Sequence, residues 1–294
     1  MITLDTGGIP AVSNLFYGRN IVTEKDINII RLNRLVVVES LTPEDKKTAS
    51  DMVFDLNLDI AQTNLKAKFE LCRGVDDFRR LILELTAETL RNEVLPLLHV
   101  ECHGDPDDGL LFNDGQMLSW LEFWNILRPL NEAMGLRLVV VLATCLSATS
   151  VVSLPLHLPA PCYFLIAPTK NIYPQELYEA FKEFYQQLAL GDSASAMESL
   201  TSRSYQEGEM MPISASHWFD LLMESYLREN GTVKGLKAAS LRLYLRAKAE
   251  NLSHFDLRYW KNFVRSTLAE RLHKYFDTFF MLDRFPGARL RFVK

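Results

Sequence analysis

Four cysteines in 294 residues, with no C-x-x-C spacing among Cys72, Cys102, Cys145 and Cys162, give neither a disulfide framework nor a thiolate metal site. Reduced thiols are expected, and no cofactor or resident metal. Uninterrupted apolar runs are short: none reaches the ~18 residues of a membrane span, and the first residues lack the basic-then-apolar order of a secretory leader. A cytoplasmic protein with no membrane partner is expected. Repeats and low-complexity segments are absent, as is any run of Lys and Arg.

The net charge of −5 conceals an uneven distribution. Residues 201–294 carry 16 Lys and Arg against 10 Asp and Glu, a net of +6, whereas the rest carries 16 against 27. A basic region of this kind serves docking onto an acidic body more often than nucleic-acid binding, which the missing Lys/Arg run disfavours.

What the chain has is alternation. Arg34 to Ser40 reads as a strand, and Thr42-Pro43-Glu44-Asp45 as a capped start for a helix ending near Ile60. Lys66 to Arg73 reads as a second strand, with Asp76 or Asp77 capping the next helix. The loop from Gly104 to Gly115 is rich in Asp and Gly, and Ser119-Trp-Leu-Glu122 is a capping box for a helix to about Met134. Cys162 to Ala167 is a further strand, and Pro174 opens an aromatic-rich helix that Gly191 ends. From Met210 the strand signals fade. Helices are expected from Ser216 to Asn230, from Lys234 to Asn251, and from a Ser253–Asp256 box towards Asp283. This is an α/β three-layer domain with a mostly parallel sheet over residues 30–205, after a lead-in over 1–29 and before a helical, net-basic region over 206–294.

Two segments carry the chemistry. Leu97-Leu-His-Val-Glu-Cys-His-Gly104 and Leu138-Val-Val-Val-Leu-Ala-Thr-Cys-Leu-Ser147 each read as a buried parallel strand ending in a reactive residue, His103 or Cys145. In such a sheet the strands' carboxyl ends share one edge, where ligands bind. A cysteine there acts as a nucleophile if a base assists, and a histidine can also protonate a leaving amine. Glu101 shares the face of His103, in reach of either the histidine or a substrate, and Asp114 is a weaker candidate for the same role.

The strand ending Cys102-His103-Gly104, the stretch Gly109–Gly115, the capped helix at Ser119 and the strand ending Ala143-Thr-Cys145 together resemble the caspase-like cysteine peptidases, in particular their prokaryotic CHAT-like branch. The resemblance covers roughly residues 30–200 and implies a caspase-hemoglobinase fold and an endopeptidase with a His103–Cys145 dyad. It further implies an oxyanion hole made by the backbone N–H groups of Gly104 and Cys145. Caspases follow their Cys with a basic residue and Gly, whereas here Leu146-Ser147-Ala148 follow, closer to the CHAT pattern.

The partners implied are a protein or peptide substrate and an activator, either a small nucleotide-like molecule or a protein; a homo-oligomer is compatible with the fold. No segment has the look of a long excisable linker, so control by a bound signal is expected, in the bacterial defence or cell-death settings of the branch. The alternative is a catalytically silent caspase-fold scaffold or signal-binding protein.

His99-Val-Glu-Cys-His103 invites a zinc reading, but on a strand residues 99 and 103 stand about 13 Å apart, too far to share an ion. Asp105, Asp107, Asp108 and Asp114 are expected to be solvated rather than to hold a cation.

Overall fold

A computed structural model describes residues 32–201, 210–250 and 255–289. The lead-in expected over 1–29 and the Ser253 half of the last capping box lie outside them.

The described chain divides into two compact units, one formed by the residues up to Leu154 with Pro161–Ala215, the other by Pro155–Ala160 and the residues from Ser216. The first is the α/β unit. Its elements in order are β1 (Arg34–Ser40), α1 (Ala49–Asp59), β2 (Lys66–Leu71), α2 (Val75–Leu90), β3 (Pro96–Asp105), β4 (Gly109–Leu111), β5 (Met117–Leu118), α3 (Trp120–Ala133), β6 (Val139–Leu142), β7 (Phe164–Pro168), α4 (Pro174–Ala189), α5 (Ser193–Thr201) and β8 (Met210–Ser214).

The sheet order is β2-β1-β3-β6-β7-β8, parallel throughout except that β8 runs antiparallel to β7. Leu35–Val38 and Val139–Leu142 are buried end to end, the pattern of strands covered on both faces. From β1 the chain steps one way to β2 through α1, then back past β1 to β3 through α2. With right-handed crossovers this reversal puts α1 and α2 on opposite faces. It also makes the gap between the carboxyl ends of β1 and β3 the switch point, where such sheets bind their ligands. α4 joins α1, and α3 joins α2. On the α4 side the His99 ring of β3 lies edge-on to Phe181; on the other side Phe78 of α2 stacks with Phe123 of α3.

Several boundaries differ from those the sequence suggests. Thr42–Asp45 makes its side-chain-to-backbone closure but only as a turn, and α1 starts at Ala49. Gly74, not Asp76 or Asp77, is the N-cap of α2. Residues 104–118 are not an open loop: β4 pairs antiparallel with the end of β3 (His103↔Leu111, Asp105↔Gly109), and β5 pairs with β4. Gly109 makes this possible, with a φ of +122° and no room for a Cβ, which would lie 2.0 Å from the Leu118 carbonyl oxygen. Met210–Ser214, at the start of the stretch read as helical, is the strand β8. Its Pro212 is tolerated because β8 is the last strand of the sheet.

The second unit holds the rest of α6 (Ala215–Asn230), α7 (Val233–Ala249), α8 (Leu257–Ser266) and α9 (Leu268–Phe279). The helix expected to run unbroken towards Asp283 is interrupted at Thr267, whose hydroxyl turns back to the Phe263 carbonyl at 2.8 Å. Asp256 caps α8 by accepting the Tyr259 N–H at 2.7 Å. The core of this unit is aromatic: Phe219 meets the rings of Phe276, Phe279 and Phe280, with centroids 5.3–5.4 Å apart.

Candidate active site

The β3–β6 ladder fixes how His103 and Cys145 stand to one another. Its last register pair is Val100↔Leu142, and the Ala143 N–H continues it with a 2.8 Å bond to the Val100 carbonyl. Both candidates lie three residues beyond that pair, at the carboxyl ends of neighbouring strands about 4.8 Å apart. Cys145 is not on β6 itself but in the turn that follows it.

That turn is tight and anchored. Leu146 takes the left-handed conformation (φ +56°), while Ser147 Oγ donates to the Thr144 carbonyl at 2.8 Å and Thr149 Oγ1 to the Leu146 carbonyl at 2.7 Å. Gly104 touches it directly. A Cβ on Gly104 would fall 2.8 Å from the Cys145 carbonyl oxygen and 3.2 Å from the Thr144 side chain, so any other residue would push the end of β3 away from this turn. The sequence places a glycine after the histidine, and the backbone packing explains why it must be one. Among the described residues no hydrogen bond engages the Cys145 N–H or thiol.

The four thiols differ in the way nucleophilic chemistry requires. Cys145 is half-buried, whereas Cys72, Cys102 and Cys162 are buried. Burial pushes the Cys72 thiol up to about 12 and raises those of Cys102 and Cys162 further, so none of the three ionises near neutrality.

His103 is half exposed, and its Nε2 lies 2.9 Å from Asp45 Oδ2. This partner was hidden in the sequence. Asp45 Oδ2 also accepts the Thr42 N–H and the Thr42 hydroxyl, each at 2.8 Å. Partial burial raises the Asp45 carboxyl, but the bonds from Thr42 and His103 outweigh it and hold the group below its ordinary value. The Thr42–Asp45 spacing that signals a helix cap does form a side-chain-to-backbone closure; the carboxylate then reaches across the switch point to β3.

Glu101 occupies neither of the two places expected of it. It is buried, and its carboxylate faces the start of α1, where it accepts the Thr48 hydroxyl and the Ala49 N–H. Burial raises it to about 7, and Glu39, its register partner on β1, adds to the rise. Asp114 is not brought to the dyad. Its Oδ1 accepts the Gln116 N–H at 2.9 Å, its N–H bonds the Arg73 carbonyl, and its Oδ2 sits over Gly74 at the start of α2.

His99 is wholly buried with Nδ1 2.7 Å from the Tyr185 hydroxyl, and burial drops it to about 3, which keeps it neutral. Asp105 Oδ1 accepts the N–H groups of Asp107 and Asp108, at 2.8 and 2.9 Å, and so shapes the β3–β4 turn. Among the described residues no three His, Cys, Asp or Glu side chains are grouped to hold a metal, and no helix is long and apolar enough to cross a membrane.

No family model and no curated protein matches the chain.

Proposed function

We propose that the chain is a cysteine endopeptidase of caspase-like build, with Cys145 as the nucleophile and His103 as the acid/base. The supporting observation is the register: a half-buried thiol and a half-exposed imidazole stand three residues beyond the same ladder pair, with Gly104 of β3 packed against the Cys145 turn. In this reading the Cys145 thiolate attacks the peptide carbonyl carbon, and the N–H groups of Gly104 and Cys145 hold the oxyanion. His103 then protonates the leaving amine. It next takes a proton from the water that hydrolyses the thioester, which returns the thiol.

Control by a bound activator, whether a small nucleotide-like molecule or a protein, is part of the proposal. The peptide after Cys145 favours this over clipping, since Ser147–Ser153 forms a largely buried 3-10 turn tied to Trp124, whose indole N–H donates to the Ser150 carbonyl. The resemblance noted from the sequence implies a role in bacterial defence or cell death.

The test compares the wild type with Cys145→Ala, with host lysate added as a source of activator, on fluorogenic peptides varied at the residue before the cut. Cleavage by the wild type alone is the expected result. Equal cleavage by both withdraws the assignment of Cys145. Absence of cleavage by either leaves an activator missing from the lysate or a caspase-fold scaffold.

A further inference from the structure

We propose that Asp45 is a positioning residue for the thiol site: it holds His103 with the Nε2 proton turned away from Cys145, which leaves Nδ1 to receive the thiol proton. This rests on the dyad reading above and adds a third member that the sequence motif lacks.

The argument begins with hydrogen-bond inventory. An ionised carboxylate only accepts, so the 2.9 Å contact between Asp45 Oδ2 and His103 Nε2 requires the proton on Nε2. A neutral imidazole so held has its lone pair on Nδ1. The other two donors to the same oxygen, the N–H and hydroxyl of Thr42, keep Asp45 ionised and fix its direction.

The segment carrying Asp45 is irregular, yet it is pinned beyond Asp45 as well as at Thr42. Lys46 Nζ donates to Gln175 Oε1 at the start of α4, and the Thr48 hydroxyl donates to buried Glu101 on β3. Glu101 lies two residues before His103 on the same strand face, so the strand that carries the histidine also anchors the loop that carries its partner. A loop with a merely structural Asp45 would need the Thr42 closure alone. The bond to His103, 58 residues away across the switch point, is what holding an imidazole in one tautomer requires.

When the Cys145 thiol ionises, its proton passes to Nδ1 and the ring becomes an imidazolium between the thiolate and Asp45. The Asp45 carboxylate, 2.9 Å from Nε2, then faces a positively charged ring.

Alkylation of Cys145 reads this directly, because the three other thiols are buried. The full-length protein is treated with iodoacetamide from pH 5 to 9, and labelling of the Cys145 peptide is followed by mass spectrometry in the wild type, Asp45→Asn, Asp45→Glu and His103→Ala. The wild type should label faster at pH 6.5 than either Asp45→Asn or His103→Ala. His103→Ala should move the midpoint upward. Asp45→Asn, which keeps an acceptor but loses the charge, should slow labelling at pH 6.5 by several-fold, up to about tenfold. Asp45→Glu should restore part of the loss.

If Asp45→Asn superimposes on the wild type while His103→Ala does not, Asp45 is only a loop residue and the dyad stands. If both superimpose, the dyad fails, and this proposal with it. A measurement on the wild type alone settles the point should a variant not fold: nitrogen NMR of the His103 ring should show the proton on Nε2, and a proton on Nδ1 overturns the proposal.

Discussion

The two units bury their helices differently. In the α/β unit, α2 turns Val75, Phe78, Leu81, Ile82 and Leu85 inward, and β1 and β6 are covered on both faces. In the helical unit, α7 buries only Ser240 and Ala247 over 17 residues and α8 only Val264, while Leu241, Leu245, Tyr259 and Phe263 remain exposed. The first unit therefore draws its stability from a dense interior, above which the ends of β3 and β6 carry His103 and Cys145. Both units leave some large apolar side chains in water, Phe54, Leu58 and Leu83 in the first among them, so the contrast lies in how little α7 and α8 bury.

The largest effect that would sharpen this contrast comes from Phe78. Its ring is fully buried, with centroids 5.6 Å from Phe123 and 5.8 Å from Phe112. Phe78→Ala should cost about 3–5 kcal/mol of folding stability in urea titrations, since the surrounding rings cannot collapse into the space. A cost under about 1 kcal/mol would mean that this interior is not closely packed.

Next in size are two buried titratable groups on β3 with opposite pH signatures. His99 falls to about 3 in the fold from an unfolded value of 6.5, so its contribution to stability is present above pH 6.5 and is lost as pH falls towards 3. Glu101 rises to about 7 from 4.5, so its contribution is present below pH 4.5 and is lost as pH climbs through 7. Between 4.5 and 6.5 the two oppose one another. Glu101→Gln should expose a rise in stability up to pH 6.5, and His99→Gln a fall beyond 4.5, each with a slope of up to about 1.4 kcal/mol per pH unit. Unfolding midpoints across pH 4–8 check this. If both variants follow the wild-type curve, the two groups are solvated.

What the sequence made legible follows from how local each signal is. β1 has the limits expected, Arg34–Ser40, because a short apolar run bounded by polar residues needs no distant partner to be recognised. α3 begins where Ser119 and Glu122 place it, with the Ser119 oxygen accepting the Glu122 N–H. Thr42–Asp45 carries the same local signal and makes the local closure without continuing into a helix, and the second partner of Asp45 lies 58 residues further on, where no spacing rule reaches. β8 escaped for a related reason: five residues with a proline are a strand only because β7 offers them an edge. β4 and β5, at three and two residues, are too short to show any periodicity. His103, Gly104 and Cys145 were legible as strand-end residues; the carboxylate beside them was not.

The smallest predicted effect lies in the helical unit and could break the comparison. On α8 the rings of Tyr259 and Phe263 are near parallel, with centroids 6.2 Å apart, and Trp260 stands edge-on to both at 5.3 and 5.7 Å. Tyr259 and Phe263 are each 41% exposed, so truncation removes contacts on one side only. Tyr259→Ser and Phe263→Ser should each cost under about 1 kcal/mol in the same urea titrations, several times less than Phe78→Ala. Polar replacement of rings already half in water forfeits a few ring-to-ring contacts and little burial. If either variant loses as much as Phe78→Ala, the α8 rings form a core of their own, and the difference between the two units is one of size rather than of packing.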